Sequence, residues 1–210
     1  MASTELNDHI THLDIFPTRI FKIRIKQDLI EKSIQSISQY NNSEGWSFVD
    51  IIDDTNFKKL HQSVLSNATN IFPESLSIDQ WKISAAWVNI QSEKADHIGF
   101  HSHFDSFMSA ALYLAGKEMF ITFRDNPKEA QTNINSICDY SLAIKHSFHQ
   151  DINISVQPGD LILFPSYLTH KANTNNHPLK RMSIAYNFLP DKKDSPNRNP
   201  WNLKEFQLIK

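Results

Sequence analysis

Apolar and polar positions in the first third of the chain predict one strand and two helices. Residues 16–25 (FPTRIFKIRI) alternate apolar and polar side chains, which is typical of a strand with one buried face. Residues 27–40 and 55–71 instead carry apolar side chains three and four positions apart, the spacing of a helix. Thr55 is the expected N-cap of the second helix, and Pro73 follows its predicted end. We expect these helices to brace a sheet.

The pattern changes at residue 81 to a series of short apolar segments. Segments such as WKISAAWVNI, SFMSAALYLAG and KRMSIAYNFLP are rich in β-branched and aromatic residues, and turn residues separate them. Many short strands without long helices between them predict a sandwich or barrel rather than a parallel α/β sheet. We therefore expect a single mainly β domain, with a strand and helix flank at 1–80, a core at 81–190 and a tail at 191–210. Residues 124–149 are polar and irregular, and are expected to form a long loop.

Composition narrows the class of protein. The chain has 210 residues, of which 40% are hydrophobic, so one well-packed core is expected. The formal net charge of −2 and the lack of a long basic run argue against a nucleic-acid partner. The one cysteine, Cys138, excludes an internal disulfide, and the N-terminal residues do not follow the pattern of a signal peptide. No apolar stretch reaches membrane-spanning length, so we expect a cytoplasmic protein without a membrane partner.

Histidines next to predicted strands give the first indication of chemistry. His103 and Asp105 lie two positions apart just before an apolar strand, and on an extended backbone such residues point to the same side. His170 ends another apolar segment. Two histidines and a carboxylate form the site typical of non-haem iron(II) oxygenases, with other metal positions left open. His101 is also two positions from His103, so three histidines are the alternative ligand set. Asp105 is preferred because its charge lowers the cost of holding a dication.

An arginine and a serine follow on the next predicted strand. Arg181 and Ser183 lie two positions apart and share a strand face. A guanidinium with an adjacent hydroxyl is well suited to hold a carboxylate through charge-assisted hydrogen bonds. The surrounding sequence is apolar enough for a buried strand, and a buried arginine needs an anionic partner. That partner can belong to the protein or to a ligand.

Three segments together resemble the 2-oxoglutarate- and iron-dependent dioxygenase superfamily. They are HSHFDSFMSAALYL, PGDLILFPSYLTH and RMSIAYNF, and the resemblance runs from about residue 81 to residue 189. Within the superfamily, the chain resembles the small 2OG-Fe(II) oxygenases of marine bacteria and phages. The resemblance implies a double-stranded β-helix core (jelly-roll or cupin-like), Fe(II) and 2-oxoglutarate as cofactors, and hydroxylation of a small molecule or side chain with release of succinate and CO2. It also implies that His103, Asp105 and His170 bind iron, while Arg181 and Ser183 hold the far carboxylate of 2-oxoglutarate.

Three further residues are candidate contacts of 2-oxoglutarate. Tyr113 and Asn89 lie on predicted strands, and Asn187 shares the face of Arg181 and Ser183 by alternation. A core tyrosine with a satisfied hydroxyl and an asparagine near a turn are the structural alternatives. No catalytic residue beyond the metal centre is predicted.

Two other classes of protein stay open at this point. One is a jelly-roll binding or structural module with incidental histidines, and the other is a cupin-type metalloenzyme with three histidine ligands. Neither class needs a buried arginine and serine beside the metal. The substrate itself is not readable from the sequence.

Overall fold

The computed structural model describes residues 18–40, 46–71, 81–94, 99–124 and 151–191. These residues form a mainly β structure in which all strand pairings are antiparallel. In chain order the elements are β1 (Phe21–Arg24), α1 (Gln27–Ile37), β2 (Trp46–Asp50), a 3₁₀ helix (Thr55–Phe57), α2 (Lys58–Thr69), β3 (Trp81–Gln91), β4 (Met108–Ala115), β5 (Met119–Arg124), β6 (Asp151–Val156), β7 (Asp160–Pro165), β8 (Thr169–Ala172) and β9 (Arg181–Pro190).

The strands form two sheets that face each other. The six-stranded sheet has the order β1-β7-β4-β9-β3-β2, and the three-stranded sheet has the order β6-β5-β8. The chain crosses between the sheets after β4, β6, β7 and β8, which gives the core the expected double-stranded β-helix architecture. An apolar cluster with members from both sheets lies between them: Tyr113, Met119, Ile121, Phe123, Val156, Ile162 and Phe164.

The two α-helices cover the outer face of the six-stranded sheet. Ile30 of α1 and Leu60 of α2 are buried, and they belong to the same apolar cluster as Val88 of β3. Side chains alternate along a strand, so Trp87 and Asn89 of β3 point to the opposite face, between the two sheets. The helices therefore brace the sheet, and the polar residues of β3 are left for the interior of the β-helix.

The predicted flank contributes directly to the core sheet. β1 and β2 precede residue 81, yet they form the two edges of the six-stranded sheet. β2 was not predicted, because its five residues are too short for a clear alternation. β1 is shorter than the strand predicted at 16–25, of which residues 16–17 lie outside the described part.

The start of the second helix differs from the prediction. The helix expected at 55–71 begins with one 3₁₀ turn, and the carboxylate of Asp54 accepts a hydrogen bond from the backbone N–H of Asn56 at 2.8 Å. The prediction of Thr55 as N-cap was wrong, because the aspartate one position earlier supplies the side-chain acceptor. Pro73 lies outside the described residues.

Several expectations fall outside the described part of the chain. Cys138, most of the predicted loop at 124–149 and most of the tail at 191–210 belong to this group. Among the helices that the structure describes, none is long and apolar enough to cross a membrane.

Candidate metal centre

A cavity of about 100 Å³ opens between the two sheets. Its floor follows from the register of β3, β9 and β4, where Trp87 pairs with Ala185 and Ala185 pairs with Ala111. All three residues line the cavity, and two of them have only a methyl group as a side chain. Space for a ligand therefore exists because small residues occupy the middle of the sheet.

The next row across the same strands is polar. Asn89 of β3 pairs with Ser183 of β9, and Ser183 pairs with Tyr113 of β4. All three line the cavity. Their role as contacts of 2-oxoglutarate stays a prediction. Burial raises the pKa of Tyr113 well above its usual range, although the positive charge of Arg181 opposes this shift, so the phenol stays protonated. The row offers hydroxyl and amide groups to a bound ligand.

Three histidines meet at the wall of this cavity. The backbones of His101 and His170 pair as an isolated antiparallel bridge, with N–H to oxygen distances of 3.0 and 2.9 Å. His103 lies two positions from His101, so its side chain is on the same side of the segment. One ring nitrogen from each of the three residues lies within 4.8 Å of the other two. A single metal ion can therefore contact all three imidazoles.

Hydrogen bonds fix which nitrogen each histidine presents. The Nδ1 atom of His101 lies 2.9 Å from the carbonyl oxygen of Gly99, and that of His170 lies 2.9 Å from the carbonyl oxygen of Leu168. A carbonyl only accepts, so Nδ1 carries the hydrogen in both rings and Nε2 keeps its lone pair. This orientation is typical of metal-binding histidines, whose second ring nitrogen donates to an oxygen.

Burial keeps two of the rings neutral. Burial lowers the pKa of His170 to about 3, a shift that the hydrogen bond to Leu168 opposes and that His101 and His103 reinforce. Burial also lowers the pKa of His103, and its hydrogen bond to Oδ1 of Asn187 opposes this shift. At neutral pH both rings are unprotonated, which is the form that binds metal.

Asp105 does not join the three histidines. The chain turns at Phe104 and Asp105, and the carboxylate of Asp105 is exposed. Its Oδ1 atom lies 3.5 Å from the side-chain nitrogen of Asn187, at the limit of a hydrogen bond. The expected alternation between His103 and Asp105 fails because the backbone is no longer extended there. Among the described residues, the group that could hold a metal ion consists of His101, His103 and His170.

This donor set fits the metal that the resemblance implies. Imidazole nitrogens suit Fe(II) as well as Zn(II), Cu(II) and Ni(II), and a dication bound by three neutral rings keeps positions free for further ligands. A cavity lies against the rings, so an oxygen-donor ligand has room to reach the same ion.

Arg181 is buried beside this cavity. Only 3% of its surface is exposed, and its Nε donates to Oε1 of Gln91 at 2.8 Å, while Nη1 donates to Oδ1 of Asn173 at 2.6 Å. Its Nη2 also donates to Gln91 and to the backbone oxygen of Asn173. None of the ion pairs among the described residues includes Arg181. Burial lowers the pKa of Arg181, yet a guanidinium stays protonated in proteins.

Two residues near the site were not predicted from the sequence. Gln91 lines the cavity and binds Arg181, and its position two after Asn89 on β3 is the signal that would have found it. Trp87 lines the cavity as well, and its ring centroid lies 5.7 Å from that of His103. Asn187, in contrast, was predicted to contact 2-oxoglutarate, but it is not among the residues that line the cavity. Its Oδ1 lies 2.6 Å from Nδ1 of His103, on the far side of that ring from the presented nitrogen.

Solved structures with a similar fold support this description of the core. The α-ketoglutarate-dependent epimerase SnoN from nogalamycin biosynthesis matches with a TM-score of 0.58 at 10% identity, over 82% of this chain and 78% of its own. HygX from Streptomyces hygroscopicus with nickel and 2-oxoglutarate bound matches with a TM-score of 0.56 at 11% identity, over 83% of this chain and 84% of its own. A prolyl-4-hydroxylase from Pseudomonas putida matches with a TM-score of 0.56 at 11% identity, over 83% of this chain and 94% of its own. At these identities the likeness shows the fold alone. Comparison with curated protein sequences gives no match.

The fold and the site together define a class of protein: a double-stranded β-helix with three histidines at its central cavity that could hold a metal ion. Residues 85–187 match the model of a family described as "Putative 2OG-Fe(II) oxygenase". Over this core the chain thus resembles the 2-oxoglutarate-dependent Fe(II) oxygenases, which are oxidoreductases whose cofactors are Fe(II) and 2-oxoglutarate.

Proposed function

We propose that this oxygenase hydroxylates a small molecule or a side chain, with release of succinate and CO2, and that His101, His103 and His170 are its metal ligands. The observation that carries the proposal is the convergence of three ring nitrogens within 4.8 Å of one another at the wall of a cavity. The sequence alone favoured Asp105 as third ligand, but its exposed position beyond the turn supports His101 instead.

The second part of the proposal concerns the binding of 2-oxoglutarate. Arg181 is a buried cation whose described partners are the neutral residues Gln91 and Asn173. A buried charge without an opposite charge is costly, and an anionic ligand removes that cost. We assign the far carboxylate of 2-oxoglutarate to Arg181, with Ser183 and Tyr113 as neutral donors from the polar row.

The protein's own residues then have three tasks. His101, His103 and His170 hold the metal. Imidazole ligands bring no negative charge, so the full positive charge of the ion attracts its other ligands. Arg181 orients 2-oxoglutarate, and the apolar cluster around Phe164 excludes water from the cavity. When bound, iron and 2-oxoglutarate supply the oxidising chemistry that inserts one oxygen atom into a C–H bond of the substrate.

The ligands bound in the similar structures support the proposed cofactors. HygX was solved with nickel and 2-oxoglutarate, and also with these two ligands and hygromycin B. SnoN was solved with Fe³⁺, α-ketoglutarate and nogalamycin RO. A double-stranded β-helix of this size can therefore hold a metal, the cosubstrate and a small molecule together. The cytoplasmic location expected from the single cysteine stays a prediction.

A second candidate function follows from the ligand set. Three histidines without a carboxylate are also the ligands of cupin-type metalloenzymes, which need no 2-oxoglutarate. The uncompensated charge of Arg181 favours the oxygenase over the cupin, because a cupin that binds no 2-oxoglutarate does not need a buried guanidinium at the cavity.

Two measurements test the proposal. Titration of the Fe(II) protein with 2-oxoglutarate without oxygen should give a metal-to-ligand absorption band, and a panel of amino acids, peptides and small metabolites in air should reveal stimulated succinate release. His101→Ala should lose iron, whereas the matched variant Asp105→Ala should bind iron and 2-oxoglutarate as the wild type does. The reverse result would restore Asp105 as ligand. Iron binding with neither the band nor succinate would favour the second candidate.

A further inference from the structure

A buried polar cluster lies behind His103, away from the cavity. Asn187 of β9 is 4% exposed, and Ser109 of β4 and Ser166, just after β7, are 0% exposed. These residues come from two strands and the turn after β7, and they meet only in the folded chain. Ser106 extends the cluster outward and is partly exposed.

With Oδ1 of Asn187 facing Ser109, the hydrogen bonds of this cluster run in one direction. Oδ1 of Asn187 accepts from Oγ of Ser109 at 3.0 Å, so the one hydrogen of that hydroxyl is used. Ser166, 2.7 Å from Ser109, must then be the donor between the two serines. Ser106 in turn donates to Ser166 at 2.8 Å. Three hydroxyl hydrogens therefore point inward, and all three bonds lead to the amide oxygen of Asn187.

The same oxygen sets the state of His103. Oδ1 of Asn187 lies 2.6 Å from Nδ1 of His103, and Ser109 lies 3.1 Å from the same nitrogen. Ser109 has already donated its hydrogen, and an amide oxygen only accepts, so Nδ1 must be the donor. His103 then carries its hydrogen on Nδ1 and presents Nε2 to the other two histidines.

We propose that Asn187 and the serine chain Ser106–Ser166–Ser109 are positioning residues that lock His103 in the Nδ1–H form that can bind metal. The proposal rests on the metal centre assigned above. A rotated Asn187 amide would turn its NH₂ group to His103, place the hydrogen on Nε2 and block the metal position. The serine chain opposes this rotation, because a rotated amide would no longer accept the hydrogen of Ser109, which would then have to turn to Nδ1 of His103 at 3.1 Å.

The tautomer of His103 can be measured directly. ¹⁵N-labelled protein without metal should show His103 as Nδ1–H in long-range ¹H–¹⁵N NMR spectra. Asn187→Asp keeps an acceptor oxygen in place and should keep this tautomer, whereas Asn187→Leu, of similar size, should yield a mixture of both tautomers. Ser33→Ala, which removes a buried serine hydroxyl of α1 that donates to Leu29, is the matched control for Ser109→Ala.

Metal affinity supplies the second measurement. Loss of an oxygen that orients a metal-binding histidine typically lowers the affinity for the metal by about 10- to 100-fold. Titration with Co(II), followed by its visible absorption, should show a loss of this size for Asn187→Leu, a smaller loss for Ser109→Ala, and wild-type affinity for Asn187→Asp and Ser33→Ala.

The outcomes separate this inference from the proposed function. If wild-type protein binds no Co(II), the metal centre itself is wrong. If wild-type protein binds Co(II) while its His103 carries the hydrogen on Nε2, or if folded Asn187→Leu keeps both tautomer and affinity, the positioning role is wrong. Should Asn187→Leu fail to fold, the wild-type spectrum and the metal affinity of Ser109→Ala still decide, because wild-type affinity in Ser109→Ala would contradict the positioning role.

Discussion

Replacement of Arg181 by lysine tests how the site recognises 2-oxoglutarate. A guanidinium has five N–H groups, and four of those of Arg181 are already engaged by Gln91 and Asn173. One N–H of Nη1 is left for a ligand carboxylate. A hydrogen bond to a charged group contributes about 1.5–3 kcal/mol, which corresponds to a factor of about 10 to 150 in affinity.

Arg181→Lys keeps the positive charge but loses this fixed donor geometry. We therefore expect 2-oxoglutarate to bind about 10- to 100-fold more weakly, while Fe(II) affinity stays unchanged because Arg181 is not a ligand. The assay is a titration of the Fe(II) protein with 2-oxoglutarate without oxygen, read at the metal-to-ligand absorption band. Lys180→Met, which removes the exposed cation one position earlier, is the control for general electrostatic attraction and should leave the affinity unchanged.

Three results would refute the reasoning. Unchanged 2-oxoglutarate affinity in a folded Arg181→Lys variant would show that the cosubstrate is held elsewhere. An equal loss in Lys180→Met would show that general charge, rather than the buried guanidinium, attracts the ligand. A variant that melts many degrees lower and binds neither ligand would return Arg181 to a structural role.

Three further predictions concern acid stability, cavity size and helix capping. Burial lowers the pKa of His170 to about 3, so between about pH 6.5 and 3 the unfolded chain binds a proton that the native protein does not. As the pH falls through this range, the free energy of unfolding of the metal-free protein should decrease by up to ~1.4 kcal/mol per pH unit. His170→Asn should reduce this slope in urea titrations. Ala185→Leu fills the centre of the cavity floor, so 2-oxoglutarate affinity should fall below detection in calorimetry while Co(II) still binds; unaltered cosubstrate affinity would place it outside this cavity. Asp54→Ala removes the cap of the 3₁₀ turn together with the acceptor of the Tyr40 hydroxyl, so it should cost at least about 1 kcal/mol in chemical denaturation, whereas Thr55→Ala should cost less; equal losses would contradict the assigned cap.

Local pattern was sufficient for much of the fold. The spacing of apolar residues predicted α1 from its first residue, although the helix ends at Ile37 rather than at residue 40, and the short β-rich segments after residue 81 became strands of two facing sheets. The edge strands β1 and β2 show the limit of this reasoning. Their partners are β7 and β3, so their place in the sheet depends on pairings that the local sequence does not specify.

The candidate site, like the fold, was predicted from the sequence only where local pattern was sufficient. His103, His170 and Arg181 were visible as chemistry beside strands, and all three lie at or beside the cavity. The choice between Asp105 and His101 depended on where the backbone stops being extended and on a pairing of His101 with His170 across the fold. Neither feature leaves a trace in residue spacing. Ser166 and Asn187 likewise gain their roles from contacts between distant strands.

The paired backbones of His101 and His170 have a consequence for how the protein acquires its metal. Two of the three proposed ligands are joined by reciprocal backbone hydrogen bonds, so their separation is determined by the sheet and does not depend on an ion. Little conformational entropy is left to lose when metal enters. Folding can therefore be completed before loading, and a chelator should leave an intact empty protein that is ready to be refilled. Such a site exchanges its ion with the surroundings without unfolding, so the metal it carries reflects which ions are available as well as its ligands.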